Sequence, residues 1–495
     1  MKKRSILLAM AAMMLSATVH AQENTDGKNI VTVDLTLQES LKPGILVEKL
    51  GENRYEIDSL VMTGVFEEGL GWANRDVEKG IWATLRDCCR HGRLRGIDLS
   101  GSSFNTIPYY AFTGSSPFDR TPIRYVTLPE GKRIWIGQHA FANTELRWIN
   151  LTEVGYVEDY AFINSDLDGE FDFSEIGTIS SYAFAGCKLR GTLNLENVGQ
   201  MGEGAFEGAN YVEKVILSAS EQIPDYAFYR CDRLQEVVIP EGVRKIGRYA
   251  FRGDVRSISL PSTIEYIGEG ALHSSHLESL TIPEKVMELF PNTFFHSYIK
   301  EIQWPSYIKK IGTGCFIYNE AIEELELPDC IMDIDSLAFF GNIKLKKVIL
   351  PENLQHLGLG TFANCTELSQ VVAKSPVPPY TEEPRVLYME LGRQVSPFNN
   401  IMEDAVLYVP QGAKEAYEQA EYWRDFKTII ELEEGASLND LPIKTGIEQT
   451  IADDGAEGER QTMQGIYTLH GVKVDGNYEA LPRGMYIING RKVVK

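Results

Sequence analysis

One acidic stretch has residue types at the spacing of a calcium-binding loop. The segment NSDLDGEFDFSE places Asn164, Asp166 and Asp168 at positions 1, 3 and 5 of such a loop, with Gly169 at position 6 and Glu175 at position 12. Oxygen ligands at these positions hold Ca²⁺ in an EF-hand, whose loop also needs the glycine for its turn. No helical pattern flanks the segment, and a repeat described below explains much of it. The calcium candidate therefore competes with a purely structural interpretation.

Other groups that could do chemistry are sparse. Cys88, Cys89 and His91 cluster on a helical pattern, but adjacent cysteines rarely satisfy the tetrahedral geometry of zinc, and both fit a buried helix face. The eight histidines form no H-E-x-x-H motif, and no nucleophile elbow or Walker loop is present. Glu324 and Glu326 alternate along one strand pattern without a pocket, which is poor geometry for paired carboxylates. We therefore predict no enzyme activity, no cofactor and no metal site.

The bulk composition narrows the class of partner. The 495 residues carry a formal net charge of −22, whereas a nucleic-acid-binding protein needs a basic face. Residues 1–21 combine a positive start, a short apolar run and a small-residue cleavage pattern, which predicts a signal peptide. No later run reaches the roughly 18 apolar residues of a membrane helix. We expect an exported chain that binds no nucleic acid and does not span the membrane.

The secondary-structure elements that would position any site belong to a sequence repeat. Twelve hexapeptides resemble IGRYAF (246–251), and most of their final phenylalanines are 21 to 23 residues apart. Several copies also contain a strand pattern, L-x-x-L-x-L-P, as in LQEVVIP (234–240) and LESLTIP (277–283). A unit this short cannot bury its own apolar face, so it must stack on its neighbours. The predicted fold is a leucine-rich-repeat solenoid of the α/β type, with a parallel sheet on one face and units ~4.8 Å apart.

The full consensus, L-x-x-(I/V)-x-L-P-x-x-(V/I)-x-x-I-G-x-x-A-F-x-x-C, closely resembles the BspA-like leucine-rich repeats of bacterial surface proteins. The resemblance covers roughly residues 94–374 and rests on twelve copies. It implies a cell-surface protein, and several members of the family are adhesins for host matrix proteins or for other bacteria.

The cysteines fit the repeat. The slot three residues after the phenylalanine holds Cys187, Cys231 and Cys365, and in other copies a small polar residue such as Thr144. We predict a corner where this side chain bonds turn backbone, and structural thiols rather than disulfides, because Cys187 and Cys231 lie two units apart.

The flanking segments complete the predicted organisation. We expect an N-terminal cap at 22–93 with a helix over 77–90, repeats at 94–374, a C-terminal cap at 375–432, an acidic linker at 433–462 and a β-rich tail at 463–495. The tail contains YIINGRKVV, a hairpin pattern with an Asn-Gly turn. It resembles the C-terminal sorting domain of type IX secretion; a small β-module without a sorting role is the alternative.

The outer face of the sheet is the predicted site. Residues between the inward-facing apolar positions include Tyr125, Trp148, Asn150, Glu170 and Asp172, and later Glu301, Glu326 and Lys347. Neighbouring exposed aromatics are typical of protein hot spots, so we predict recognition of a protein partner, from the host matrix or a bacterial surface. The alternative is a glycan that stacks on Tyr125 and Trp148. Both rings could also simply shield the sheet.

Overall fold

The computed structural model describes residues 28–36, 44–65, 80–381 and 396–433, four isolated positions between 435 and 441, and the backbone of five short strands at 21–23 and within 466–494. The predicted signal peptide therefore lies almost entirely outside the described residues. The chain divides into two compact units, Met1–Glu434 and Gly435–Lys495.

The first unit is a solenoid whose successive coils place one strand beside the next in parallel register. We call these the front strands. They are β2 (Asn29–Leu35), β3 (Ser59–Val65), β4 (Gly96–Ser103), β6 (Tyr125–Thr127), β8 (Trp148–Ile149), β10 (Asp168–Gly169), β12 (Lys188–Asn194), β14 (Tyr211–Ile216), β16 (Glu236–Val238), β18 (Ser257–Ser259), β20 (Ser279–Thr281), β22 (Glu301–Gln303), β24 (Glu324–Glu326), β26 (Lys347–Leu350), β28 (Gln370–Ala373), β29 (Val406–Pro410) and β30 (Thr428–Leu432).

A second row of short parallel strands follows the front strands around each coil. These side strands are β5 (Thr106–Ile107), β7 (Ile134–Ile136), β9 (Val154–Val157), β11 (Thr178–Ile179), β13 (Gln200–Met201), β15 (Gln222–Ile223), β17 (Lys245–Ile246), β19 (Tyr266–Ile267), β21 (Glu288–Leu289), β23 (Lys310–Ile311), β25 (Asp333–Ile334) and β27 (His356–Leu357). Each ends on an apolar residue that points into the coil. The predicted leucine-rich-repeat solenoid with a parallel sheet is confirmed.

The front strands are short because each coil needs only one inward side chain between two outward ones. In β16, Val237 is buried while Val238 is 38% exposed. Pro240 follows two residues later and cannot donate to the ladder, so the chain turns. The register continues the pattern: Val237 lies beside Val215 on one side and Ile258 on the other.

The phenylalanines of the repeat form a continuous column through the core, which we call the Phe column. Neighbouring rings stack nearly parallel at 5.0 to 5.6 Å from Phe112 to Phe251 and at 5.2 to 5.5 Å from Phe294 to Phe362, with Leu272 between the two runs. Every ring in the column is fully buried. Burial of one such side chain contributes about 1.5–3 kcal/mol, so the column is a main source of stability.

The polar corner predicted three residues after each phenylalanine is present. Cys187 and Cys231 donate to the carbonyl oxygens of Phe162 and Phe206, both at 3.2 Å, and Asn319 Nδ2 donates to that of Phe294 at 2.9 Å. A buried carbonyl left without a donor is costly, so these three corner side chains stabilise the coil before their own, whereas Thr144 donates to Phe141 O within its own coil. All seven cysteines are free thiols, as expected.

The N-terminal part continues the same parallel ladder. Strand β2 pairs in parallel with β3, which pairs in parallel with β4, and β1 (Ala21–Glu23) pairs with β2 in antiparallel register. Helix α1 spans Ile45–Leu50 and is followed by a 3-10 turn at Glu52–Tyr55. The predicted cap helix is α2, Ile81–His91, which buries Leu85, Cys88 and Cys89. The start proposed at residue 77 falls outside the described residues.

The C-terminal end, within the predicted cap at 375–432, has the order strand, turn, helix and strand. Strand β29 leads to α3 (Lys414–Gln419), a 3-10 turn (Trp423–Asp425) and β30. Tyr417 and Trp423 are buried anchors: the Tyr417 hydroxyl donates to Ser375 O at 2.9 Å, and Trp423 Nε1 donates to Pro379 O at 3.2 Å.

The second unit contains a four-stranded antiparallel sheet in the order β32-β31-β33-β34. Its strands are β31 (Ile466–Thr468), β32 (Lys473–Val474), β33 (Met485–Ile488) and β34 (Arg491–Val494). Ile488 pairs with Arg491, so two residues connect β33 and β34, as the hairpin pattern predicts. The Asn-Gly turn itself lies outside the described residues.

Candidate functional site

The two aromatic residues singled out from the sequence lie side by side on the front sheet. Tyr125 on β6 is the direct parallel partner of Trp148 on β8, and the two residues are 48% and 39% exposed. Their strands are anchored by Val126 and Ile149, which are fully buried in the core. In the same two coils, Arg124 Nη2 and Glu145 form an ion pair at 2.9 Å. The result is an aromatic pair on a rigid base.

Asn150 is near this pair but its amide is already occupied. Its Oδ1 accepts a hydrogen bond from Leu128 N at 2.7 Å, and its Nδ2 donates to Leu128 O at 3.2 Å. The side chain therefore links the ends of β6 and β8 by hydrogen bonds. We assign it a structural role first, and only its remaining lone pair and N–H are open to a ligand.

Glu170 and Asp172 are exposed, but they follow their front strand instead of lying in it. The ladder passes through Asp168, whose N–H donates to Arg147 O at 3.2 Å and which pairs with Lys188. The 22-residue step from Trp148 leads to Glu170, so the observed register differs by two residues. Extra glycines are the reason: Gly169 and Gly191 have φ of +135° and +67°, and β12 has a bulge at Gly191.

The acidic side chains of the calcium candidate are already paired with cations. Asp166 accepts from Arg120 at 3.1 Å and from Lys188 at 2.8 Å, and Asp168 pairs with Arg190. Burial raises the pKa of Asp166, but hydrogen bonds and the charges of Lys188 and Arg120 outweigh it, so the net pKa is low. Asn164 Nδ2 donates to Asn143, and no contact joins Glu175 to these carboxylates. The arrangement is that of an ion-pair network between coils.

Two more groups could in principle hold a metal. Cys88 and Cys89 are buried in α2, whereas His91 is exposed and bonded to Asp87 at 2.8 Å, so the three do not converge. Elsewhere, Asp333, Asp335 and His356 lie close enough to share an ion. The ammonium of Lys310 lies 3.0 Å from Asp333 and 2.9 Å from Asp335, and it already supplies the positive charge there.

The rest of the front face changes character along the solenoid. Lys214 and Glu236 pair across neighbouring strands at 2.7 Å, and exposed serines and acids follow at Ser257, Ser279, Glu301 and Glu324. The expectation that Lys347 is exposed is wrong: all of β26 and β28 is buried on both faces. The exposed part of the front sheet is therefore interrupted after β24, and exposed positions return in β30, where Ile430 is 40% exposed.

Sequence reasoning missed an aromatic array on the turns. The residue two positions before each Phe-column position has φ between +51° and +65° in all twelve copies. Glycine fills four of these positions, but six carry rings, and Tyr110, His139, Tyr160 and Tyr182 stack in order at 5.0, 4.9 and 5.4 Å. We call these four the turn ladder. The sequence did contain a signal: several copies have a tyrosine or histidine directly before Ala-Phe, at a position that the consensus leaves unspecified.

The turn ladder has its own energetic logic. A bulky residue in the left-handed region costs of order 1–3 kcal/mol, which glycine avoids. A stacked aromatic pair stabilises the fold by about 0.5–1.5 kcal/mol. The two effects are similar in size, so the ladder is close to neutral for stability and leaves a row of ring edges at the surface.

Together, stacked coils, a parallel front sheet and a buried repeat residue in each coil define a leucine-rich-repeat solenoid, a class typical of non-enzymatic binding proteins. The particular family follows from the sequence. A model described as BspA type leucine rich repeat region (6 copies) matches residues 113–232, 221–339 and 291–379. Because these ranges cover more than half of the chain, the protein belongs to this family.

Solved structures with a similar chain path come from several bacteria. A leucine-rich repeat protein from Bacteroides ovatus is 18% identical, with 72% of this chain and 94% of that chain covered and a TM-score of 0.47. A leucine rich cell surface protein from Faecalibacterium prausnitzii is 14% identical, with 75% and 95% covered and a TM-score of 0.29. The pneumococcal vaccine antigen PcpA is 16% identical, with 67% and 85% covered and a TM-score of 0.32. The chain has no significant match among curated protein sequences.

Within the part of the chain that the structure describes, no helix has the length and apolar character needed to cross a membrane.

Proposed function

We propose that the protein is an exported, surface-displayed binding protein that recognises a protein partner through Tyr125 and Trp148. The observation that carries the proposal is the pairing of these two exposed rings on adjacent front strands. Aromatic residues on a rigid base lose little conformational entropy on binding and dominate hot spots. Adhesion to a host matrix protein or to another bacterial surface protein is the form of binding we propose.

The geometry supports recognition over catalysis. The front face offers alternating side chains on a flat ladder, and its carboxylates at Glu324 and Glu326 flank one inward Leu325 without a cleft. Charged pairs such as Lys214 with Glu236 neutralise each other across strands. Such a face has no place that excludes water around a reacting atom, which catalysis requires. We therefore propose that the protein is not an enzyme.

Export and display are proposed from the two ends of the chain. The signal-peptide pattern at 1–21 directs export, and the antiparallel β-module at the C-terminus is proposed as the sorting element. Deleting residues 463–495 should leave the solenoid folded and move the protein from the cell surface to the periplasm, as measured by fractionation. Unchanged display would leave the tail as a plain β-module.

The binding proposal is tested with the exported chain and three single variants. Trp148→Ala and Tyr125→Ala remove the proposed contact, and Trp135→Ala is the matched control. Trp135 is 43% exposed like Trp148, but it lies on side strand β7. Each protein is passed over immobilised matrix proteins and over a bacterial surface-protein panel, and Kd is measured by surface plasmon resonance.

We expect saturable protein binding that weakens roughly 30-fold in Trp148→Ala and is unchanged in Trp135→Ala, since a hot-spot tryptophan contributes at least ~2 kcal/mol. Equal loss in both tryptophan variants would place the contact elsewhere. Binding to glycans alone, lost in Trp148→Ala, would favour the glycan alternative on the same rings. Binding to neither panel would argue against a host or bacterial adhesion partner.

A further inference from the structure

A second candidate site lies away from the front sheet, on the turns that follow the Phe column. An open groove of about 1040 Å³ runs along several coils there. Tyr160 and Tyr182, the last rings of the turn ladder, line one end, and Arg230 and Arg252 line the other. Ligand sites of a few hundred to about 1,000 Å³ are typical of small and medium-sized ligands, so the groove is large enough for a chain of several rings.

The groove exists because glycines replace side chains along its floor. The position two residues after each Phe-column residue has positive φ in successive coils: Asn164 at +53°, Gly186 at +71°, Gly208 at +69° and Arg230 at +57°. Since asparagine and arginine adopt this conformation here, the backbone alone does not require glycine. A Cβ on Gly208 would meet no atom closer than 3.8 Å, so a side chain would fit, and its absence leaves open space.

Several polar side chains face this space without a partner. Among the described residues, no side-chain hydrogen bond or ion pair engages Glu207, Asn210, Arg230 or Asp232, all of which line the groove. Burial raises the pKa of the Glu207 carboxyl; the charge of Arg230 opposes this and that of Glu203 adds to it. These groups offer both donors and acceptors to a ligand.

The two guanidinium groups are held in place by one aromatic ring. Arg230 and Arg252 lie 5.3 and 5.1 Å from the ring centre of Tyr229, and Arg252 also bonds the Tyr229 hydroxyl. Within the described residues neither guanidinium has a carboxylate at ion-pair distance. Each therefore keeps donors for a ligand at the cost of little further ordering.

The balance of charges identifies the class of ligand. Two carboxylates, Glu207 and Asp232, face two guanidiniums, so the groove has no net charge in a protein whose formal net charge is −22. An anion would be attracted by the two guanidiniums and repelled by the two carboxylates, and a cation would experience the reverse. A hydroxyl-rich neutral molecule gains from both, because each hydroxyl can donate to a carboxylate and accept from a guanidinium.

A peptide fits this groove poorly. The turn backbone is already paired between coils: Gly186 N donates to Glu207 O at 2.7 Å, and Gly208 N donates to Tyr229 O at 2.8 Å. The N–H groups of Gly186 and Gly208 are therefore not free to pair with a peptide backbone. We propose that the groove binds a neutral oligosaccharide, with Glu207, Asn210, Arg230 and Asp232 bonding its hydroxyls and Tyr182 flanking a sugar ring.

The test uses the exported chain on an array of neutral cello-, xylo-, malto-, manno- and chito-oligosaccharides, with acidic oligosaccharides and an acidic peptide set alongside. Hits are measured by isothermal titration calorimetry. Gly208→Asn fills the groove with a residue that already adopts the same conformation at Asn164, so it should fold. Arg230→Ala removes one charged donor, and Trp148→Ala is the control for the front sheet. Thermal melting checks that each variant is folded.

We expect a neutral oligosaccharide to bind, and its Kd to rise about tenfold or more in Arg230→Ala and in Gly208→Asn, since a hydrogen bond to a charged group is lost or blocked. Trp148→Ala should bind it normally. No binding to any neutral oligosaccharide, binding only to acidic glycans or peptides, or binding that folded Gly208→Asn leaves intact would each overturn the proposal. Loss in Trp148→Ala alone would return any glycan site to the front sheet.

Discussion

Replacing one ring of the Phe column should weaken the whole solenoid by a predictable amount. Phe206 is fully buried, stacks on Phe184 at 5.5 Å and on Phe228 at 5.4 Å, and meets Phe173 edge-on at 5.9 Å. Phe206→Ala removes these contacts and leaves a cavity between coils that share one packed interface. A buried phenylalanine cut to alanine costs about 3–5 kcal/mol, and the three ring contacts place this site near the upper end.

The chain supplies its own milder variant. Leu272 occupies the same column position four coils after Phe184, and it is fully buried there. Phe206→Leu keeps an apolar side chain and loses mainly the ring pairing, so we expect a loss of about 1–2 kcal/mol. Val238→Ala, on an exposed position of β16, is the control and should change stability by less than about 0.5 kcal/mol.

The assay is urea unfolding of the purified chain, followed by far-UV circular dichroism and tryptophan fluorescence together. In a solenoid each coil is stabilised mainly by its two neighbours. Unfolding curves that differ between the two probes would therefore show that the array unfolds in separate parts on either side of the altered coil. A cost for Phe206→Ala below about 2 kcal/mol, or one equal to that of Val238→Ala, would refute the idea that the column holds neighbouring coils together.

Three further predictions concern the corner, the thiols and the acidic loop. Asn342→Ala leaves the carbonyl of Phe316 without a donor, while that of Phe339 keeps the thiol of Cys365; the change should cost about 1–3 kcal/mol, and Asn342→Ser should cost less in the same urea assay. Burial raises the pKa of Cys187 to about 12, so this thiol should resist maleimide at neutral pH in the folded chain, and the stability that depends on the neutral thiol is lost as pH rises from about 8.5 towards 12. Peptide mapping separates Cys187 from Cys330, which is only partly buried, and fast labelling of Cys187 would contradict the prediction. Millimolar calcium should not raise the melting temperature, because Asp166 is already paired with Arg120 and Lys188; a clear rise that Asp166→Asn abolishes would show that calcium displaces them.

The fold could be predicted from the sequence because the same pattern of apolar residues recurs in twelve copies. The repeat correctly places Trp148, 23 residues after Tyr125, beside it on the next strand, and the buried positions of Ile246, Ala250 and Phe251 follow from the same pattern. The corner position could also be predicted, because most copies have a small polar residue or cysteine there, although one has Ala209.

Predictions failed where one coil departs from the average. Glycines at 169 and 191 change the local register, so the outward position next to Trp148 is Asp168 and not Glu170. Lys347 is buried because β26 lies where both faces of the sheet are covered, and this depends on distant segments. The partner-free set around Glu207 could not be found from spacing, since it depends on which side chains in adjacent coils lack a bond.

The corner bonds to a carbonyl of another coil all run from one coil to an earlier coil, and this determines which changes in the number of repeats the fold tolerates. In six coils the corner side chain donates to the column residue's carbonyl in an earlier coil, about 25 residues back, as Cys231 does for Phe206. Removing or duplicating one whole coil among those that make this bond keeps the carbonyl at the junction paired, whereas a deletion of any other length breaks the pairing there. Recombination between copies can lengthen or shorten the binding surface by whole coils while each new product still folds, so natural variation in this lineage should come in steps of one repeat.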